Sequence, residues 1–243
     1  MKRYALLFGL LLGLQVISCS DEKCTCPQVA ITGSGDMTTV SRTLPDFRSL
    51  VLASSGTVNI TPGSTQSLSI TVDDNVLEYI TTEVHDATLE IRTDNRVQLS
   101  NYTLTVNITM TDLESLVLSG SGSIIGQNPF TVDAAALVLS GSGNINIELD
   151  TEALSSVISG SGAINLTGSA TQHAPVVSGS GTIHAFGLDS DNCAAVVSGS
   201  GIIEVTAANQ LDAVISGSGN IYYKGHPAIT QTITGSGSVV DAN

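Results

Sequence analysis

Hydrophobic and polar positions alternate with a period of two through most of the chain from Phe47 onward. Examples are Thr57-Val58-Asn59-Ile60, Ser67-Leu68-Ser69-Ile70-Thr71-Val72, Thr88-Leu89-Glu90-Ile91 and Tyr102-Thr103-Leu104-Thr105-Val106-Asn107-Ile108. Such alternation predicts β-strands with one face buried. In the second half it acquires a strict frame. Ser-Gly-Ser-Gly begins at Ser119, Ser140, Ser159, Ser178, Ser198 and Ser216, at intervals of 21, 19, 19, 20 and 18 residues, and Thr234 opens a Thr-Gly-Ser-Gly variant 18 residues later. A repeat of this length suits one circuit of a narrow β-solenoid and is too short for a propeller blade.

Aligning the repeats on the motif exposes columns. Five residues after each opening position stand Ile124, Ile145, Ile164, Ile183, Ile203, Ile221 and Val239, and immediately before it stand Leu118, Leu139, Ile158, Val177, Val197, Ile215 and Ile233. Aliphatic residues stacked coil upon coil give the continuous core that no single repeat can bury alone. One position further back lie Val117, Val138, Val157, Val176, Val196 and Val214, broken only by Thr232. Adjacent positions on a regular strand face opposite sides. The valine column therefore predicts either a strand distorted at the turn or an outer wall that another layer covers, and a layer from the same chain is favoured over a neighbouring subunit.

The motif glycines are Gly120, Gly122, Gly141, Gly143, Gly160, Gly162, Gly179, Gly181, Gly199, Gly201, Gly217, Gly219, Gly235 and Gly237. They mark a corner where positive φ or close backbone approach excludes a side chain, and the stacked serines could hydrogen-bond between coils. Seven motifs stacked at strand spacing predict a rod of about 30 Å. Before residue 119, Ser54-Ser55-Gly56 reads as a degenerate copy of the turn, which makes residues 30–118 a less regular extension of the same all-β architecture. Only Val76 to Thr82 could form a short helix there.

The N-terminus has a different character. Lys2 and Arg3 precede an apolar run from Tyr4 to Ile17, the layout of a secretory signal peptide. Val16-Ile17-Ser18-Cys19 resembles a bacterial lipobox, so Cys19 is expected to be acylated and to become the mature N-terminus. The alternative is ordinary cleavage nearby that leaves Cys19 as a free thiol. Ser20-Asp21-Glu22 resembles the acidic signal that sends lipoproteins of gut-type Gram-negative bacteria to the outer face of the outer membrane. The expected division is a signal peptide over 1–18, a lipid anchor and linker over 19–29, the irregular β half over 30–118 and the repeat solenoid over 119–243.

Loss of the signal peptide would leave six basic against twenty-two acidic residues. That balance disfavours nucleic acid and a polybasic hold on anionic lipid, which leaves the acyl chains as the membrane attachment. Cys24 and Cys26 follow the anchor, and Cys193 is read as a lone loop thiol. No disulfide framework and no metal site emerges from them.

An enzyme on such a scaffold would need recognisable groups. A polysaccharide lyase needs a basic residue to take a proton, yet Lys224, beside Tyr222 and Tyr223, is the sole lysine or arginine after Leu116. An inverting hydrolase needs paired carboxylates, whereas Glu148, Asp150, Glu152, Asp189, Asp191, Glu204 and Asp212 are expected in connecting segments. Asp189-Ser190-Asp191-Asn192 lacks the glycine and terminal glutamate of an EF-hand loop and is a poor Ca²⁺ site. His173 and His184 fit no hexapeptide register and are read as loop histidines. No helix or Gly-Lys-Ser/Thr follows the glycines, so they are not phosphate loops. With 4% aromatic residues and no tryptophan, a platform of stacked rings for sugar is expected only at Tyr222-Tyr223.

The order Ile31-Thr32-Gly33-Ser34-Gly35, Arg42, Phe47 and Thr57-Val58-Asn59-Ile60, followed by Gly-Ser-Gly turns, is similar to the putative auto-transporter adhesin, head GIN domain family. The resemblance spans residues 30–243. It implies a pectin-lyase-like single-stranded β-helix, of right-handed coil in that class, at a bacterial surface and with a role in adhesion. It transfers no catalytic residue and no cofactor. The expected partners are the membrane, through the lipid, an extracellular protein or glycan, and a second copy of the chain in a homo-oligomer. The rival expectations are a carbohydrate-active enzyme and a purely structural envelope protein.

Overall fold

The computed structural model describes residues 29–243; the expectations for the signal segment, Cys19, Cys24 and Cys26 fall outside the described residues. Seventeen of the strands form one sheet, wound into a β-solenoid of about seven turns. In the repeat half the coils are β10 (Ser115–Leu118), β11 (Ser123–Gly126), β12 (Phe130–Leu139), β13 (Asn144–Ile158), β14 (Ala163–Val177), β15 (Thr182–Val197), β16 (Ile202–Ile215), β17 (Asn220–Lys224), β18 (Ala228–Ile233) and β19 (Ser238–Asp241). All their pairings with one another are parallel, and the register sets each motif on the one before.

The two aliphatic columns form the core as the pattern predicts. Ile124, Ile145, Ile164, Ile183, Ile203 and Ile221 are fully buried, as are Leu118, Leu139, Ile158, Val177 and Val197. Each such side chain contributes about 1.5–3 kcal/mol on burial. The columns open only at the last coil, where Ile233 is 40% exposed.

At the corners, close approach rather than positive φ requires the glycines. Among the motif glycines only Gly235 has a positive φ, of 134°. A Cβ built on Gly141 would instead fall on the carbonyl oxygen of Gly120, one on Gly160 on that of Gly141, and one on Gly162 on that of Gly143. The corners stack through their backbones: Ser161 N donates to Gly141 O and Ser180 N to Gly160 O, each at 3.2 Å. The motif serine side chains stay exposed on the rim.

The other corners are bends within long strands. Glu148, Asp150 and Glu152 therefore lie in β13, Asp189 and Asp191 in β15, and Glu204 and Asp212 in β16, rather than in connecting segments. Asp189 to Asn192 likewise runs as strand, so neighbouring side chains point to opposite faces and Ser190 is buried between its exposed acidic neighbours.

The N-terminal half joins the same sheet with its coils out of order. β3 (Ser49–Ala53) and β4 (Thr57–Pro62) form a coil whose Ser54-Ser55-Gly56 corner lies in register with Gly120-Ser121-Gly122. The next coil, β7 (Thr88–Thr93) and β9 (Leu104–Met110), stacks on the far side of β3 and β4, so the chain returns across this first coil to reach β10. Antiparallel strands β6 (Ile80–His85) and β5 (Ser67–Asp73) then cover the free edges of β7 and β9, and β2 (Met37–Ser41) covers β5. Covering the edges in this way blunts end-to-end pairing. Of the candidate helix only a 3-10 turn, Leu77–Tyr79, forms, because the β-branched Ile80, Thr81 and Thr82 continue as β6.

The residues that carried the family resemblance clasp this cap. Gly35 N and Thr103 N donate to the two carboxylate oxygens of buried Asp73 at 2.7 and 2.8 Å, which holds its pKa below the usual carboxylate value. The Arg42 guanidinium donates to Ile80 O at 3.0 Å and to Thr82 Oγ1 at 2.8 Å, and Phe47 is buried in the core. A pair formed by β1 (Val29–Thr32) and β8 (Val97–Ser100) completes the end.

Candidate functional site

Two walls of the rod differ in chemistry although the same coils build them. On the leg before each turn the strand alternates regularly and the valine column points outward. Val51 joins it by register, giving a ladder of Val51, Val117, Val138, Val157, Val176, Val196 and Val214. The ladder is half-buried to exposed, with Val214 41% exposed, and no layer of the described residues covers it. The expected intramolecular cover is thus corrected: a leg of the coil packs on its neighbours edge to edge and shows its outer face to solvent. Beside the valines, Ala134, Ala136, Ala153, Ser155, Ala174 and Ala194 are small enough to leave a shallow apolar groove of about 620 Å³.

Beneath this wall, on the inner face, lie His173 and Cys193. They are not loop residues: both are buried within strands, in a column with Ala135, Leu154 and Leu211. His173 Nε2 shares a 2.9 Å hydrogen bond with buried Ser156 Oγ. Burial lowers the His173 pKa to about 4 and raises that of Cys193 to about 12, with Asp212 adding to the latter. Both groups are therefore uncharged packing at neutral pH, and neither is an acyl-transfer base or an available nucleophile.

The leg after each turn presents the polar wall. Asn107, Asn59, Ile125, Asn146, Asn165, His184, Glu204 and Tyr222 follow one another coil by coil along one outward column. Asn59 Nδ2 donates to Asn107 Oδ1 at 2.9 Å, Asn165 Nδ2 donates to Asn146 Oδ1, and His184 Nδ1 lies 2.6 Å from Glu204 Oε2. The column borders a groove of about 440 Å³ lined by Asn146, Glu148, Asn165, His184, Phe186 and Glu204.

Phe186 borders this groove beside a bulge. Asn165 pairs with His184 and Thr167 with Gly187, so β15 carries one residue more than β14 at this point. On the other side, three residues separate Ala185 from Asp189, while their partners Val205 and Thr206 are adjacent. Phe186 faces outward by ordinary alternation after buried Ala185, and the extra residues open the chain beside it. Thr206 Oγ1 fixes it by donating to Phe186 O at 2.9 Å, and Lys224 Nζ sits 4.6 Å from the ring centroid. Bulges commonly occur next to functional sites.

Phe186 carries no signal of its own in the sequence pattern, and His184, expected in a loop, lies in β15. The lengthening of one repeat to 20 residues was the available signal, because the extra residue is the bulge. Tyr222 does lie on the polar wall, whereas Tyr223 packs partly against the core. Catalytic geometry for glycoside hydrolysis is not favoured. Glu148 and Glu204 stand on strands three spacings apart, about 14 Å at 4.8 Å per strand, and thus beyond the separation of about 6.5–9.5 Å between inverting carboxylates.

Coils, cap and walls together define a capped parallel β-solenoid with two distinct outer faces. This chain belongs to the putative auto-transporter adhesin, head GIN domain family, whose profile matches residues 46–227. It is similar to a solved putative adhesin from Bacteroides fragilis, with 27% identity and a TM-score of 0.84 over 87% of this chain and 99% of that one. A putative adhesin from Parabacteroides merdae matches at 27% identity and TM-score 0.71, over 88% of this chain and all of that one. A structure from Parabacteroides distasonis named a putative lipid binding protein matches at 29% identity and TM-score 0.76, over 88% of this chain and 100% of that one. No curated protein matches the chain.

Proposed function

We propose that this protein is a non-enzymatic adhesin, a rigid solenoid displayed at the bacterial surface as an outer-membrane lipoprotein through acylated Cys19. The observation that carries the adhesive reading is the polar ladder from Asn146 to Glu204 with its groove and the adjoining Phe186, a preformed recognition surface on a stacked β-rod. The family and the adhesin titles of the Bacteroides and Parabacteroides structures support it. The lipobox-like Val16 to Cys19 and the acidic residues after it support the anchor and the outer-membrane location. The partner is an extracellular protein or glycan, and the acidic net charge disfavours nucleic acid. Many anchored copies would multiply weak contacts. The open edge of the last coil, with Ile229 and Ile233 each 40% exposed, supports pairing with a second copy.

A binding screen of the purified protein against host glycans and matrix proteins, with turnover followed on the same glycans, tests the reading. Durable binding without cleavage is expected, and cleavage without durable binding would contradict it. A Cys19→Ala variant is expected to lose lipid labelling and membrane retention; unchanged retention would refute the anchor.

One observation favours a second reading. The alanine groove on the valine wall is apolar and open, and one relative carries a lipid-binding title. Saturable displacement of a fluorescent fatty acid, abolished by Ala153→Asp, would establish it.

A further inference from the structure

We infer that the polar groove is a subsite for an uncharged oligosaccharide lying along the rod axis, with Phe186 against the apolar face of a sugar ring and the Asn146–Glu204 ladder taking its hydroxyls. The inference rests on the adhesive reading and names the ligand class for it.

Three features converge. The first is spacing. Asn146, Asn165, His184 and Glu204 recur once per coil in a single register column, so polar groups stand about 4.8 Å apart, comparable to the length of one sugar unit. Successive units of an extended oligosaccharide could therefore meet successive coils.

The second is the donor and acceptor inventory. The Asn165 to Asn146 bond uses one amide hydrogen and one carbonyl oxygen. It leaves Asn146 Nδ2 as a donor and Asn165 Oδ1 as an acceptor toward the groove. His184 orients the Glu204 carboxylate, whose second oxygen remains able to accept. Each hydroxyl of a sugar is both donor and acceptor, so a mixed ladder of amides and a carboxylate suits it better than a row of one kind. The carboxylates of Glu148 and Glu204 line the same groove and oppose sialic, uronic or sulfated units.

The third is the aromatic ring. Phe186, half-buried and facing outward, stands at the start of the longest insertion between β15 and β16 and borders the groove. Lys224 stands over one face of its ring, so a sugar would take the opposite face, and Thr206 holds the bulge backbone. A half-buried ring beside hydrogen-bonding side chains presents an apolar surface flanked by polar groups, which matches the two-faced character of a pyranose.

The test is a glycan array probed with the purified protein, followed by calorimetric titration of the best uncharged oligosaccharide. Wild-type protein is expected to select uncharged over sialylated and sulfated chains. Phe186→Ala is expected to weaken binding about tenfold or more, and Asn165→Ala several-fold, while Val157→Ala on the other wall binds as wild type does. Because Phe186→Ala could disturb the bulge, Phe186→Tyr is included and is expected to retain binding. Absence of glycan binding, preference for acidic glycans, or indifference to both groove substitutions would overturn the inference. Retained attachment to matrix protein with no glycan bound would overturn only the subsite. Failure of both would also remove the adhesive reading.

Discussion

The valine wall and the polar wall stand on the same coils, share the same corners and cover the same core, yet they present opposite chemistry to water. Inside the rod each position is dictated by its neighbours above and below, because parallel strands in register stack like on like. Outside, the core imposes no such choice. One wall repeats Val beside Ala and Ser, and the other repeats Asn and then His, Glu and Tyr. The polar wall carries most of its hydrogen bonds within the column and places one half-buried aromatic ring beside it. The valine wall offers only area. The scaffold thus explains why the ladders are straight, and it leaves the chemistry of each ladder free to differ.

The largest effect should come from breaking what the walls share. In Gly160→Val the new side chain would fall on the Gly141 carbonyl, so the coil could not stack. A loss of about 3 kcal/mol or more is expected, with both walls lost together, as a large fall in thermal midpoint. An unchanged midpoint would mean that the corners do not carry the stacking.

Acid should then separate the walls. His173, under the valine wall, has its pKa depressed from 6.5 to about 4 by burial. Between these values the unfolded chain binds the proton that the folded chain refuses, so stability is highest above pH 6.5 and declines as pH falls toward 4. The total loss from this group is about 3 kcal/mol. Hydrogen exchange at acidic pH should rise first in the coil from Leu154 to Val177, which holds Ser156 and His173. The double variant His173→Leu with Ser156→Ala should flatten the dependence without leaving a buried hydroxyl unpaired. The same pH slope in that variant would assign the effect elsewhere.

The smallest effect on stability, and a sharp one on surface character, is expected from Val157→Asn. It should alter stability by no more than about 0.5 kcal/mol while reducing hydrophobic-dye fluorescence, since Val157 faces outward. A loss of several kcal/mol would show that another layer covers the valines after all.

The repeat and its core were readable because both depend on recurrence. A period of 18 to 21 residues and unbroken Ile and Leu columns leave little besides a solenoid. Ser54-Ser55-Gly56 was recognisable for the same reason, since the corner demands small residues wherever it occurs. The order of the first coils was not readable, because β7 and β9 take the outer position through register with β3 and β4, and the alternation would be identical in either order. The state of His173 and Cys193 was equally hidden. A polar residue in an alternating strand looks like a surface or loop residue until the column of its neighbours is known. The acids were misplaced into loops because the bends between legs stay within continuous strands: β13 and β16 bend with no glycine, and β14 with the single Gly168. The opening beside Phe186 depended on one extra residue in one repeat, visible in the interval and uninformative without the register that turns it into a bulge.

The most direct measurement is amide chemical-shift mapping of the protein titrated with an uncharged oligosaccharide selected on the array. Saturable shifts are predicted at Asn146, Asn165, His184, Phe186 and Glu204, with the resonances of Val138, Val157 and Val176 unmoved. Shifts centred on the valine wall, or scattered over both walls without saturation, would contradict the claim that the polar groove is the recognition site.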